Sequence, residues 1–316
     1  MSWYRHHTEE RDFPMAALYR VAGISKQGFY KNLKGEEKKI RIMFKVEDKV
    51  KTIRKDHPRM GSRPLYHKLR VKEVGINKFE KIVQESGLGI KQKKKRIITT
   101  ISNPNHLQYP NLTYGLKLNG INQLWASDIT YWLGEDNTYY IILLQDVYGR
   151  RILGSYADDN MYAENNLKVL EQSIQLRGIN NYQDQLIHHS DKGSQYTSNE
   201  YLERLDKAGI KISMARNSIE NPYVERLNGI IKNDYLAYAN IYNLSSLRAA
   251  LKRTVWFYNN ERPHSELNYM TPVEFENVIA KIELGQRKEM ILYDFSDKPK
   301  LLTGQPKFIN NGQPIS

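Results

Sequence analysis

Three acidic residues, Asp128, Asp191 and Glu225, have types and settings that would allow them to act together in catalysis. Asp128 and Asp191 lie at the edges of apolar runs typical of strands, and Glu225 lies in a helix-like segment. Carboxylate oxygens are the ligands that Mg²⁺ prefers, and a pair of such ions can promote phosphoryl transfer. If the fold brings the three residues together, we expect Asp128 to bridge two ions, while Asp191 and Glu225 each complete one.

The distribution of charge favours nucleic acid as the substrate. The formal net charge is +13, and the sequence pI is about 9.5. Residues 1–110 hold 26 of the 48 Lys and Arg residues but only 11 of the 35 Asp and Glu residues, so the basic excess belongs to the N-terminal third. A lysine-rich surface that only aids solubility is the alternative, but this segregation favours binding to a phosphate backbone.

The composition excludes several kinds of site. The chain has no cysteine, which rules out disulfides, a thiol nucleophile and zinc sites with cysteine ligands. The longest clearly apolar run, residues 139–144, is too short to cross a bilayer, and the first residues have no apolar signal-peptide core. We therefore expect a soluble cytoplasmic protein with no membrane partner.

The N-terminal third is predicted to be all helical and to carry two DNA-binding units. In residues 1–35, a helix-turn-helix pattern covers Pro14–Leu33, with Gly23 at the turn and Ser25 as the cap of the second helix. Its outward residues that could meet phosphates or base edges are Lys26, Gln27, Tyr30 and Lys31. An ordinary helical hairpin is the alternative for this unit.

Residues 36–97 form the second predicted unit. An amphipathic helix over Glu36–Lys55 precedes a second helix-turn-helix pattern, whose last helix carries Lys78 and Lys81. The basic run that ends this unit could contact a phosphate backbone through Lys93, Lys94, Lys95 and Arg96. A solvated basic face is the alternative for both sets of residues. Residues 98–118, which contain prolines and show little periodicity, are predicted to be a linker.

Residues 119–282 are predicted to form a mixed five-stranded sheet flanked by helices, of the α+β or α/β class. Three strands joined by short turns imply antiparallel pairing, and later strands separated by helices imply parallel pairing. This order is ribonuclease-H-like, and the first and fourth strands lie side by side in that fold. Asp128 and Asp191 would then be neighbours, and Glu225 would arrive from a helix that packs across the sheet. Residues 283–316 are predicted to be a weakly patterned tail.

Several polar residues near the three acids are candidates for further roles. His188 and His189 precede Asp191, and one of them could orient a phosphate or a metal-binding carboxylate; a core histidine beside a surface histidine is the alternative. The candidates for DNA contact near the scissile phosphate are Lys192, Asn228, Lys232 and Arg262. Lys232 is the best placed of these, since it lies two helical turns after Glu225.

The chain resembles insertion-sequence transposases with a retroviral-integrase-type catalytic core, of the kind encoded in a second, overlapping reading frame. The stretches that carry the resemblance are Trp125–Tyr131, His188–Ser198, Ser213–Arg216, Glu225–Lys232 and Tyr258–His264, with His57–Gly61 and Val74–Asn77 upstream. The resemblance implies DNA cleavage and strand transfer at element ends with two Mg²⁺ or Mn²⁺ ions. It assigns the catalytic acids to Asp128, Asp191 and Glu225, although the 33 residues between the last two are slightly fewer than is common.

The resemblance also implies partners. The DNA would be double-stranded and would include the terminal inverted repeats of the element and a target. Because two ends must be joined, we expect a homo-oligomer, at least a dimer, on DNA at the bacterial nucleoid. Two other functions remain compatible with the sequence: a non-catalytic DNA-binding regulator from a degraded element, and a ribonuclease-H-type nuclease that hydrolyses without joining.

Overall fold

The computed structural model describes residues 14–90, 109–134, 137–183, 185–216 and 220–292. The chain divides into a helical unit, Met1–Lys55 with Gly61–Lys91, and a sheet unit, Asp56–Met60 with Gln92–Ser316. The basic run over residues 93–96 lies outside the described residues, so its predicted DNA contact stays a prediction. Within the described ranges, no helix is long and apolar enough to span a membrane.

The helical unit contains four described helices. They are α1 (Met15–Val21), α2 (Lys26–Arg54), α3 (Ser62–Leu69) and α4 (Ile76–Glu85). The side chains that α2, α3 and α4 bury include Val46, Val50, Leu65, Phe79 and Val83. The amphipathic spacing of these apolar residues places one face of each helix in a shared core.

Helix α2 is longer than the sequence predicted. The prediction of separate helices over residues 26–33 and 36–55 is wrong, because a single helix continues to Arg54. Ser25 begins it as predicted, with its Oγ accepting the Gly28 N–H at 3.0 Å. Gly23 has a φ of +64° and separates α1 from α2, whereas Gly35 lies inside α2 and stays helical. A glycine alone weakens a helix but does not end it, and no proline follows Gly35 there.

The sheet unit is built on five strands in the order β4-β3-β2-β5-β6. The strands are β2 (Leu124–Leu133), β3 (Thr138–Asp146), β4 (Ile152–Asp158), β5 (Leu186–Ser190) and β6 (Ile210–Met214). A shorter strand, β1, spans Lys117–Leu118. β2, β3 and β4 pair antiparallel, while β5 pairs parallel with both β2 and β6. The predicted mixed five-stranded sheet is confirmed.

Helices cover both faces of this sheet. They are α5 (Ala163–Arg177), α6 (Asn199–Lys207), α7 (Pro222–Ile230), α8 (Leu244–Asn260) and α9 (Pro272–Ile279). Along β3, Ile141 and Leu143 enter one apolar core and Ile142 and Leu144 enter the other. This period of two, buried on both sides, explains why β3 is apolar almost throughout.

Two segments at the margins of the sheet unit are more ordered than the sequence suggested. Lys117–Leu118, placed in the predicted linker, pairs antiparallel with β7 (Met290–Ile291), placed in the predicted tail. Leu118 and Leu292 are buried in the same apolar core. Their burial gives these short segments the tertiary contacts that a two-residue ladder needs.

Candidate active site

Asp128 and Asp191 lie at the same level of the sheet. The parallel pairing of β2 with β5 aligns Leu124 with Ile187 and Ala126 with His189. Asp128 and Asp191 each lie two residues after the last of these pairs. Because the two strands run in the same direction, equal steps along them reach the same height in the sheet. The register of β2 and β5 therefore makes the two aspartates neighbours, although 62 residues separate them in the sequence.

Helix α7 brings Glu225 to the same strand. Pro222 occupies its first turn, and Val224 and Leu227 bury its apolar side in the core. Its polar side follows β2: the Asn228 side-chain N–H donates to Asp128 Oδ2 at 2.7 Å. Glu225 is three residues before Asn228, so helical geometry places it on that same side.

The three carboxylates influence one another. Burial, then the charge of Asp191 and then that of Glu225 raise the pKa of Asp128 to about 8. The bond from Asn228 and a backbone N–H oppose this shift. Burial also raises the pKa of Asp191, while the Gly193 N–H, which donates to Asp191 Oδ1 at 3.0 Å, lowers it. Such repulsion among clustered acids is relieved by protons or by cations.

The donor chemistry of this cluster fits a hard divalent cation. Asp128, Asp191 and Glu225 offer only carboxylate oxygens, the ligands that Mg²⁺ and Mn²⁺ accept. As the side chains stand, no group of three or more His, Asp or Glu in the described part of the chain forms a ready-made metal site. The fit therefore rests on the oxygen donors and on the charges of Asp191 and Glu225, which add to burial in raising the Asp128 pKa.

The raised Asp128 pKa predicts a pH-dependent stability. A carboxyl in an unfolded chain has a pKa of about 4, against about 8 for Asp128 in the folded protein. The folded state holds this proton more tightly, so its stabilising contribution is complete below about pH 4 and is lost as the pH rises to about 8. We expect Mg²⁺ to raise the unfolding temperature more at pH 8 than at pH 6, since protons compete with the cation.

Thermal unfolding in EDTA and in MgCl₂ at these two pH values measures the effect. Asp128→Asn is the reference, because it removes the titrating group, and its metal-free stability should decline less between pH 6 and pH 8. Parallel pH profiles for the two proteins would contradict the assignment of the shift to Asp128.

Both histidines next to Asp191 are buried and neutral. His188 shares a hydrogen bond with the Tyr201 hydroxyl at 2.9 Å, and burial, followed by the neighbouring His189, lowers its pKa to about 3. His189 Nε2 donates to the Glu220 carbonyl at 3.0 Å, and its Nδ1 accepts from Ser213 Oγ at 2.8 Å. Burial lowers the pKa of His189 as well. The structure therefore places neither histidine at the surface, in contrast to the alternative of one core and one surface histidine.

The other candidates near the acids have different settings. Lys232 Nζ lies 3.1 Å from Thr130 Oγ1 and 4.5 Å from the centre of the Tyr131 ring, so it stands beside the Asp128 strand. Asn228 is buried against Asp128, and Lys192 is half-buried next to Asp191.

Arg262 is largely buried within the sheet unit. Its guanidinium donates to Asp234 Oδ2 at 2.9 Å, and that ion pair leaves only 12% of the arginine side chain exposed. A DNA contact by Arg262 would require this ion pair to open.

The predicted DNA contacts of the helical unit lie on its surface. The exposed residues are Lys26, Gln27, Tyr30, Lys31, Lys78 and Lys81. Lys81 also forms an ion pair with Glu85 at 3.7 Å on the surface of α4. Exposed ion pairs are weak, so this contact leaves Lys81 able to bind a phosphate.

Sequence reasoning missed the residues that hold this site in place. The carboxylate of Glu220, just before the α7 helix, accepts hydrogen bonds from Asn111 Nδ2 at 2.7 Å, the Tyr114 hydroxyl at 2.6 Å and the Arg216 N–H at 2.8 Å. One local feature could have indicated such a residue: Ser127 is a polar residue among the buried apolar residues at the start of β2. Its partners are remote in sequence and leave no local pattern.

Comparison with known proteins agrees with this fold. The integrase core domain family matches residues 119–218, and a second integrase core domain family matches residues 207–272. The chain is 31% identical over 267 residues to a 31 kDa protein of insertion element IS600 from Shigella sonnei, covering 82% of this chain and 97% of that one. It is 31% identical over 174 residues to the transposase of insertion sequence element IS904 from Lactococcus lactis, covering 54% of this chain and 68% of that one.

One of the similar solved structures covers half of this chain. It is the HTLV-2 integrase catalytic core domain in complex with magnesium, with a TM-score of 0.41, 21% identity, and coverage of 50% of this chain and 97% of that one. The identity and coverage of the insertion-element relatives decide the assignment. The chain belongs to the insertion-sequence transposases that carry an integrase core domain.

Proposed function

We propose that this transposase cuts DNA at the ends of its insertion sequence and joins the cut ends to target DNA, with Asp128, Asp191 and Glu225 as catalytic residues. The observation that carries the proposal is the convergence of three carboxylates beside β2, where the charges of Asp191 and Glu225 add to burial in raising the Asp128 pKa to about 8. Carboxylates that repel one another and shift a pKa in this way are typical of functional sites.

The reaction has two in-line displacements at phosphorus. Water attacks the phosphodiester at the element end, the bond from phosphorus to the 3′-oxygen breaks, and that oxygen leaves as a 3′-hydroxyl. The 3′-hydroxyl then attacks a target phosphodiester, a new bond to phosphorus forms, and a target 3′-oxygen leaves. Bound divalent cations, which we propose to be two Mg²⁺ or Mn²⁺ ions held by the three carboxylates, supply activation of the attacking oxygen and stabilisation of the leaving one.

The chain's own residues around the carboxylates have supporting roles in this proposal. Asn228 fixes one Asp128 oxygen through its 2.7 Å hydrogen bond, so the other oxygen points away from that bond. Lys232, held by Thr130 at 3.1 Å, offers a cation to a DNA phosphate beside the site. Lys192 would contact DNA next to Asp191. The negative charge of DNA is matched by these lysines and by the basic helical unit.

The helical unit would recognise the terminal repeats. Its exposed Lys26, Lys31, Lys78 and Lys81 suit phosphate contacts, and Gln27 and Tyr30 suit contacts with base edges. Double-stranded DNA, both as element end and as target, would bind at least a dimer, because two ends must be handled together. We expect the protein to act at the bacterial nucleoid, where this DNA is found.

A cleavage and joining assay tests the proposal. The probe is a labelled duplex that carries the inverted repeats flanking the coding region, incubated with the full chain in MgCl₂, MnCl₂ or EDTA. We expect metal-dependent cleavage that leaves a 3′-hydroxyl, followed by a longer joined product. Cleavage without joining would indicate a ribonuclease-H-type nuclease instead. Binding to the duplex without metal-dependent cleavage would indicate a regulator.

A further inference from the structure

Ser127, the residue before Asp128, lies at the centre of a buried hydrogen-bond network. It is 1% exposed in the middle of the sheet unit. Its Oγ donates to the Leu143 carbonyl on β3 at 3.1 Å and lies 2.9 Å from the Tyr196 hydroxyl. Because the Ser127 proton is directed to Leu143, the Tyr196 hydroxyl donates to Ser127 Oγ.

Tyr196 belongs to the turn that follows Asp191. This tyrosine ends a short 3₁₀ turn, Ser194–Tyr196, and is itself 1% exposed, with its ring against His188 and Tyr201. The backbone N–H of Gly193 in the same turn donates to Asp191 Oδ1 at 3.0 Å. One turn therefore binds the Asp191 carboxylate and is anchored, through Tyr196, to the residue before Asp128.

Asn221 connects the third acid to the same place. It immediately precedes α7, is 4% exposed, and its side-chain N–H donates to the Ser127 carbonyl at 3.1 Å. The Glu225 N–H donates to the Asn221 carbonyl at 3.3 Å in the first turn of α7. The first turn of the Glu225 helix is thus bound to the Ser127 backbone, while the Asp191 turn is bound to the Ser127 side chain.

We propose that Tyr196, Ser127 and Asn221 are positioning residues that set the spacing of the three carboxylates, and that the Tyr196–Ser127 bond sets the affinity of the site for divalent cations. This inference rests on the proposed function of those carboxylates. Like charges tend to separate, and uncharged buried hydrogen bonds can resist that tendency without adding charge to the site. Residues that orient metal-binding groups commonly change metal affinity by roughly 10–100-fold when they are replaced.

The test compares two tyrosines that differ in their partners. Tyr196→Phe removes the hydroxyl bound to Ser127, and Tyr201→Phe removes the hydroxyl bound to His188 Nε2 at 2.9 Å. Both rings are 1% exposed and touch each other, so the two variants should lose similar metal-free thermal stability. We expect the Kd for Mn²⁺, measured by calorimetric titration of the full chain without DNA, to rise roughly 10-fold in Tyr196→Phe and to stay near the wild-type value in Tyr201→Phe.

Ser127→Ala is the second variant, since it removes the acceptor and leaves Tyr196 intact. It should weaken Mn²⁺ binding as Tyr196→Phe does, and the double variant should be no weaker than either single one, because both act through one bond. In the joining assay, the Mg²⁺ concentration that gives half the maximal rate should rise, while the rate at saturating Mg²⁺ recovers. A merely structural role would lower thermal stability and leave the Mn²⁺ affinity unchanged.

The outcomes separate this inference from the proposed function. Equal Mn²⁺ affinity in Tyr196→Phe and Tyr201→Phe, with wild-type binding intact, would overturn the positioning role alone. If the wild-type chain does not bind Mn²⁺, or if Asp128→Asn binds it equally well, the proposed metal site is wrong and the inference fails with it. Should Tyr196→Phe not fold, Ser127→Ala provides the same comparison against Tyr201→Phe.

Discussion

Replacing Asp128 by asparagine is expected to abolish cleavage and joining, with rates reduced roughly 1,000-fold or more, while the folded protein persists. Asparagine has nearly the same shape and keeps an oxygen that can accept the Asn228 bond of 2.7 Å. It lacks the negative charge that makes a carboxylate a stronger ligand than an amide oxygen for a hard divalent cation. Activity and folding should therefore respond in opposite directions to this one change.

The unfolding temperature of Asp128→Asn provides a second test of the same prediction. At pH 8 and without metal, Asp128→Asn should unfold at a higher temperature than the wild type, because the substitution removes a charge that is disfavoured by burial and by repulsion from Asp191 and Glu225, the causes that raise the Asp128 pKa to about 8. Near pH 5 the difference should shrink, since the wild-type carboxyl is then protonated. Circular dichroism during heating measures both, beside the cleavage assay.

Asp206→Asn is the matched control. It makes the same chemical change at an exposed position in the sheet unit, at the end of α6, and should alter neither activity nor the pH dependence of stability. Residual cleavage near the wild-type rate in Asp128→Asn would sink the catalytic assignment. A metal-free unfolding temperature at pH 8 below that of the wild type would contradict the repulsion argument.

Replacing Arg177 by methionine is expected to destabilise the sheet unit by about 3–5 kcal/mol. Arg177 lies at the end of α5, where its guanidinium donates to Glu276 at 2.7 and 2.9 Å and lies 3.3 Å from Asp146. Asp146 is fully buried, and burial raises its pKa against the opposing charge of Arg177. Without the arginine, two buried carboxylates would face each other, with Arg151 left to neutralise Glu276 at 2.6 Å.

Urea unfolding of the full chain measures this cost. Arg226→Met is the control, since Arg226 pairs with Glu266 at 2.7 Å but is 68% exposed, and exposed pairs contribute about 0–1 kcal/mol. The cost of Arg177→Met should be smaller at pH 5 than at pH 8, because burial raises the pKa of Asp146 and a proton on that carboxyl relieves its charge. An equal cost for both variants would show that the buried network contributes no more than a surface pair.

These two variants distinguish two uses of acidic residues in one sheet. Asp146 lies at one end of the β2–β3 pairing and forms an ion pair with an arginine. Asp128 lies in the middle of the same pairing, and its charged neighbours include two further acids. The fully buried Asp146 has a cation partner within the fold, whereas the partly buried Asp128 has two further acids among its neighbours. The electrostatic surroundings, more than burial itself, separate a candidate catalytic residue from a structural one.

Local sequence was sufficient to predict most of the strands and to select the three acids as candidates. The limits of β2 and β6 follow the apolar runs that neighbouring residues form, and a period of two or of 3.6 residues is a property of adjacent positions. The prediction was weakest at helix ends. The single helix α2 was divided at Gly35, because a glycine in a sequence does not reveal whether its backbone leaves the helical conformation.

By itself, the sequence determined which residues could do chemistry: three acids in strand and helix settings, a basic N-terminal third, and no cysteine. Only the tertiary structure decided what surrounds them. Tyr196 bonds to Ser127 across 69 positions of the chain, and Asn221 bonds to the same residue across 94. Arg262 was predicted to contact DNA and lies in a buried ion pair with Asp234, 28 positions away. Periodicity depends on residues that are neighbours in the chain. Hydrogen-bond partners that are distant in sequence depend instead on how the sheet and helices pack against each other.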